Sequence, residues 1–444
     1  MKKQLFFALF FGGLTSLAVA QTGTSENLAP EKSAEVDRAV EVVEALTAPS
    51  MKGRGYASGG DKLAADYIAN EFKSIGVEPV GASYLHGFNV SVNTFPDRME
   101  VQLNNNELLT AGVDYIVDAA SPAIMGVFKP VIVNRKQVSD LMVLRDKIRD
   151  AKETFILVDN TSREGETKEQ SARIDKLIDE LKTKQEIQLR GVIVYDNSRL
   201  PVWSSATHQN PRPTIYLYGE TDLSSLKTVK VTIDATLQAM HATQNVMAMV
   251  KGMEKPDSFI VFTAHYDHVG MMGKNVYYPG ANNGASGVAM LLALAKHYQL
   301  IKPKYSVLFV AFGGYELGNA GANAFIAAPP VLLENIRFSF TFDFAAKGSD
   351  GLMVVTGTKY PELFKQMNQI NTEYKLLPAI KSAPGAPPSE YNVLSNKGIP
   401  SWSIFSLGGG SPALHNLNDT ADTAPFTKFK NYLNLIIRLV EKIK

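Results

Sequence analysis

The chain has 444 residues, no Cys, 7 His, and 45 Lys and Arg against 44 Asp and Glu. Zero Cys excludes disulfide scaffolds, thiolate-held zinc, iron–sulfur clusters and thiol nucleophiles. A formal charge of +1 supplies no basic field for nucleic acid, and an apolar content of 45% excludes wholesale disorder.

The first element is an address. Lys2 and Lys3 precede an apolar stretch from Leu5 to Val19, and Ala18-Val19-Ala20 is a small-x-small site. Residues 1–20 read as a secretory signal peptide, which predicts a periplasmic or secreted mature protein. No later apolar run reaches spanning length.

Val36, Ala39, Val40, Val43 and Leu46 recur at helical spacing over 34–46. Gly53-Arg54-Gly55 and Gly59-Gly60 mark a loop, and a second amphipathic helix is predicted from about Asp61 to Ile75. Alternation over 86–105 predicts strands. Residues 109–228 differ in texture. Short β-rich runs (126–133, 155–159, 191–195, 214–218) surround a charged helix over 168–181, which reads as an inserted α/β module. From Val229 the pattern alternates strand and helix. Strands are predicted at 259–263, 305–312, 338–342 and 399–405, and helices at 287–297 and 426–443. Such alternation predicts an α/β fold with a largely parallel or mixed sheet covered on both faces, and ligand sites beyond the carboxyl ends of its strands.

Polar residues suited to metals stand at those ends. They are His265-Tyr266-Asp267-His268, the small-residue loop Gly280–Gly287, Tyr315-Glu316 and Asp343, and far downstream comes His415 followed by Asp419-Thr420. Singly each is weak, and an isolated His86, His208, His241 or His297 reads as a surface or core residue. Asp267, two residues after His265, is placed to fix that imidazole from behind.

The ordered set resembles peptidase family M28, the co-catalytic zinc aminopeptidases. The likeness covers roughly 34–96 and 229–444, with Met51-Lys52-Gly53-Arg54-Gly55 similar to an early family loop. It implies a three-layer mixed-sheet peptidase domain made of 21–108 and 229–444, interrupted at 109–228 by a module similar to a protease-associated (PA) domain. It implies zinc held by His265 and Asp343 on one side and by Glu316 and His415 on the other. In the family an Asp at position 283 bridges the ions, and a Glu at position 315 is the general base.

Here those two places read Asn283 and Tyr315. An amide cannot bridge two cations as a carboxylate does. A phenol, protonated at neutral pH, is a poor base. The family expects one or two zinc ions, and these substitutions predict one or none. His265, Glu316, Asp343 and His415 remain as a plausible set for one zinc ion. The glutaminyl cyclase branch of the fold fits no better, because it needs acids at 283, 315 and 316 and finds only Glu316. The function implied is hydrolysis of N-terminal residues from peptides by zinc-activated water, impaired by the two substitutions. The alternative is a non-catalytic relative binding peptides, or a protein partner through the insert.

Overall fold

The computed structural model describes residues 33–104, 108–197, 201–409 and 414–444. The signal-peptide reading therefore lies outside the described residues. Among them, the largest sheet has nine strands. Its central members are β1 (Thr236–Val250), β2 (Lys255–His265), β3 (Tyr305–Phe312), β4 (Ile336–Asp343) and β5 (Ser401–Leu407), hydrogen-bonded in the order β1-β3-β2-β4-β5. β2 runs parallel to β3 and β4, and β4 runs parallel to β5, while β1 is antiparallel to β3. The sheet is mixed, as the alternation predicts.

Both faces of this sheet are buried, and the side-chain period of two explains how. On β3, Val307, Phe309 and Ala311 join one hydrophobic core, while Leu308, Val310 and Phe312 join another. The first core contains helices Ala34–Thr47, Gly60–Ile75, α1 (Ser286–Leu300) and Phe429–Val440. The second contains Phe325 of helix Ala320–Ala327 and Leu394 of α2 (Glu390–Ser395). The result is three layers, helices over sheet over helices.

The predicted elements match with shifts of a few residues. β1, a strand of 15 residues, is not among them, because its exposed half (Thr236–His241) and buried half (Thr243–Val250) follow different patterns. Strands Tyr115–Val117, Thr214–Leu217, Gly191–Tyr195, Phe155–Asp159 and Val131–Asn134 form a separate five-stranded sheet with helix Lys168–Thr183 packed on it. No helix among the described residues is long and apolar enough to cross a membrane.

The consequence for function lies in the parallel strands. β2 sits between β3 and β4, with His265 opposite Phe312 on one side and Thr263 opposite Thr341 on the other. The carboxyl ends of β2, β3 and β4 therefore open on the same edge, and the loop after β5 returns to it.

Candidate metal centre

His265 ends β2 and is 1% exposed. Its Nδ1 lies 3.0 Å from the backbone oxygen of Asp267, so Nδ1 carries the hydrogen and Nε2 faces Asp343, 3.6 Å from Oδ2. Asp267 thus acts on His265 through its carbonyl, not through its carboxylate, which is 3.9 Å from Nδ1. The carboxylate has other work. It accepts Tyr56 Oη–H at 2.7 Å and the amides of Tyr315 and Glu316 at 3.1 Å each. It therefore anchors the turn after β3 that carries those two residues. Burial raises the Asp267 pKa to about 6, against the pull of His265.

The loop before α1 packs against both histidines of the first motif. Gly280 and Gly284 adopt φ of +64° and +88°, a region closed to most side chains. A Cβ at Gly284 would come within 2.9 Å of His265 Cε1, and one at Gly280 within 2.6 Å of His268 Cδ2. Arg54, fully buried, ties this loop down by donating to the carbonyls of Leu46, Tyr266, Pro279 and Gly280. Asp419 accepts the amides of Asn282 and Asn283 at 2.8 and 3.0 Å.

The four expected zinc ligands do not gather at one point. They form two pairs. In the first, His265 faces Asp343, whose carboxylate is already engaged. Its Oδ1 accepts the amides of Gly284 and Phe344 at 3.2 and 2.8 Å, and its Oδ2 accepts Asn283 Nδ2 at 3.3 Å. Asn283 thus presents an NH₂ donor to a carboxylate oxygen that the family pattern gives to a cation. Burial opposes a charged His265, but Asp343 outweighs it and raises the pKa to about 10. Against burial, Glu316 likewise raises the His415 pKa, so each imidazole is drawn toward the charged form by its own carboxylate. Tyr315 lies flat against it, with ring centroids 4.0 Å apart at 22°. Burial first, then Asp343 and Glu390, push the Tyr315 phenol well above its ordinary value.

The second pair gains a third member. His415 Nε2 is 3.0 Å from Glu316 Oε1, and His268 Nδ1 is 3.5 Å from the same oxygen. Among the described residues, His268, Glu316 and His415 are the one group of three or more His, Asp or Glu whose candidate ligand atoms all lie within 4.8 Å of one another. His415 Nδ1 meets the Trp203 carbonyl at 3.1 Å, so it carries the hydrogen and leaves Nε2 as the donor toward the group. Both ring nitrogens of His268, Nε2 of His415 and Oε1 of Glu316 are buried without a hydrogen-bond partner. Unpaired buried polar atoms are rare, because each forfeits its hydration. Four in one group fit the donors of a cation site, and two imidazoles with one carboxylate are donors zinc accepts; at the other pair His265 Nε2 and Asn283 Oδ1 are unpaired as well. Burial pulls His268 down to about 4, against Glu316, so it is neutral and able to ligate. Burial raises the Glu316 pKa, but His415 and His268 outweigh it and keep the carboxylate ionised.

His268 was visible in the sequence only as a neighbour of the motif. Glu390 carried no signal at all. It is the first residue of α2, 1% exposed, with Oε1 unpartnered. Burial raises its pKa to about 7, while the charge of His265 pulls the other way.

Residues 245–440 match the model of peptidase family M28. The chain carries an M28 domain. Around and beyond that domain the likeness extends to aminopeptidase YwaD of Bacillus subtilis, 24% identical over 317 residues that cover 69% of this chain and 60% of that one. A "probable zinc metalloprotease" of Pyricularia oryzae is 39% identical over 85 residues, and the chain spans 17% of that relative's length. The fold of the M28 domain and its surroundings is that of a zinc aminopeptidase structure from Bacillus subtilis, at a TM-score of 0.65 and 15% identity, covering 91% of this chain and 94% of that one. An aminopeptidase from Aneurinibacillus sp. strain AM-1 aligns at 0.61 with 18% identity, over 92% and 93%.

Proposed function

We propose that the protein is a secreted zinc-binding relative of the M28 aminopeptidases whose hydrolysis of N-terminal residues is impaired, and that it engages peptides at the β2–β3–β4 edge. One observation carries this reading. Tyr315 stacks on His265 while Asn283 donates to Asp343, so the chain's own groups crowd the first half of the two-metal arrangement, although His265 Nε2 and Asn283 Oδ1 keep no hydrogen-bond partner. At the general-base place stands a phenol that keeps its proton at neutral pH. It can donate a hydrogen bond to a carbonyl but cannot take a proton from water. Loss of a general base lowers turnover by roughly 100- to 10,000-fold. Zinc would be held at the Glu316–His415 pair, and when bound it supplies a Lewis acid. Around it, Asp267 holds Glu316 in place and the loop at 280–284 closes over the two histidine rings.

The signal-like residues 1–20 support export to the periplasm or beyond. The separate sheet within 115–217 supports a PA-like module inserted at 109–228 between the two parts of the peptidase domain. The test is an aminoacyl-amide panel with added zinc, run on the natural chain and on the double variant Asn283→Asp, Tyr315→Glu. The reading expects weak or no turnover from the natural chain and a rise of at least about 100-fold in the double variant. Robust turnover by the natural chain, unchanged or lowered in the double variant, overturns it.

A further inference from the structure

We propose that His268, Glu316 and His415 constitute a complete single-ion zinc site, independent of His265, Asn283 and Asp343. The M28 reading supplies the scaffold for this inference, and the identity of the third ligand goes beyond it. On a tetrahedral zinc ion with bonds of about 2.1 Å, neighbouring donor atoms lie about 3.4 Å apart. Glu316 Oε1 is 3.0 Å from His415 Nε2 and 3.5 Å from His268 Nδ1, so the present spacing brackets that value. The two rings meet edge to face, with centroids 5.2 Å apart at 77°, which lets both aim a nitrogen at the same carboxylate.

The site is built. His268 is 0% exposed and His415 7%. The His268 ring packs against Gly280, its amide donates to the Arg54 carbonyl at 3.3 Å, and Arg54 also grips the Gly280 carbonyl. His415 is oriented by Trp203, and Glu316 by the Asp267 carboxylate on its amide. Preorganised ligands of this kind lose little freedom on binding. The other pair offers two side chains, one of them a carboxylate with hydrogen bonds at both oxygens. A zinc site needs at least three protein ligands, and among the described residues only the His268 group supplies three His, Asp or Glu this close together.

The test is zinc binding by the full chain, stripped with chelator and titrated against a competing indicator, with cobalt(II) absorption as a second readout of donor geometry. One equivalent is expected. His268→Ala and Glu316→Gln should each weaken binding at least about 100-fold, since even outer-shell changes cost 10- to 100-fold, while Asp343→Asn should leave affinity within about threefold. His268→Gln, closer in volume, replaces the alanine variant if that one fails to fold, as judged by circular dichroism in chelator. Loss of binding in Asp343→Asn with retention in the His268 and Glu316 variants overturns the proposal, as do two equivalents of similar affinity. The two readings fail separately. Strong turnover with one ion at the His268 site defeats impaired catalysis and leaves the site standing. Binding that survives loss of His268 and Glu316 does the converse.

Discussion

Trp203 and His415 hold each other through two reciprocal hydrogen bonds. The His415 Nδ1–H donates to the Trp203 carbonyl at 3.1 Å, and the Trp203 amide donates to the His415 carbonyl at 3.0 Å. Residue 203 follows the last strand but one of the separate sheet, and residue 415 follows β5 of the large one. The hydrogen bond that fixes the His415 tautomer therefore comes from a segment more than two hundred positions away in sequence. His415 also adopts φ of +52°, a conformation disfavoured for a residue with a side chain. This backbone needs its neighbours to hold it in place.

The Trp203 ring anchors that relationship. It stacks on Tyr278 at 5.0 Å, packs against Phe95 at 5.8 Å, and donates Nε1–H to the Val117 carbonyl at 2.9 Å. Trp203→Ala should lower unfolding free energy by about 3–5 kcal/mol. It should also weaken zinc binding by about 10- to 100-fold, because a ligand's orienting partner is lost. Denaturant unfolding and a zinc titration check the two halves. A stability loss with unchanged affinity would mean that the His415 backbone holds its ring without help.

Asp267 touches no ligating atom of the three proposed ligands, yet it positions one through the Glu316 amide. Replacing it with Asn puts an NH₂ either at the place of Oδ1, facing the Tyr315 amide, or at that of Oδ2, facing Tyr56 Oη–H and the Glu316 amide. Leaving buried donors unpaired costs about 1–3 kcal/mol each. The expected outcome for Asp267→Asn is a loss of that order and a weaker zinc site, read by thermal unfolding in chelator and then with zinc. An equal melting temperature in chelator would contradict the assigned role.

Glu390 gives a pH signature. Its pKa rises from an ordinary 4.5 to about 7 through burial. Above pH 4.5 the unfolded chain gives up this proton while the folded chain keeps it until about pH 7. Folding therefore binds a proton in that window, and the contribution of Glu390 to stability falls as pH rises, then levels off. Glu390→Gln is neutral throughout. In chelator it should match the natural chain near pH 4.5 and exceed it at pH 8 by up to about 3 kcal/mol, at 1.36 kcal/mol per pKa unit. Denaturation at the two values checks this, and a variant equally stable or less stable at pH 8 refutes it.

Much of the architecture was legible because burial leaves a pattern. Tyr305–Phe312 is buried at every position, and a run of that kind reads as a sandwiched strand. His265, Glu316 and Asp343 were legible as strand-end residues because parallel strands put their carboxyl ends on one edge, and His415, eight residues past its strand, through the family resemblance. Their division into these two pairs was legible only through the family resemblance, and the Asn283 amide on Asp343 Oδ2 was not, because it is a detail of side-chain direction. His268 was harder still. Its ring direction follows from the turn after β2, where Gly55 and Gly270 approach so closely that a Cβ on Gly55 would lie 2.3 Å from the Gly270 Cα. Contacts between segments so far apart leave no periodic trace.

Zinc-edge X-ray absorption of the zinc-loaded natural chain decides between one ion and two, because it counts donors and sees a second metal. The single ion expected at His268, Glu316 and His415 gives scattering from two imidazoles and carboxylate oxygen, with bonds of about 2.0–2.2 Å and no metal–metal vector. A zinc–zinc distance of about 3.5–4 Å, the spacing of paired catalytic ions, or a single imidazole per zinc, would contradict it.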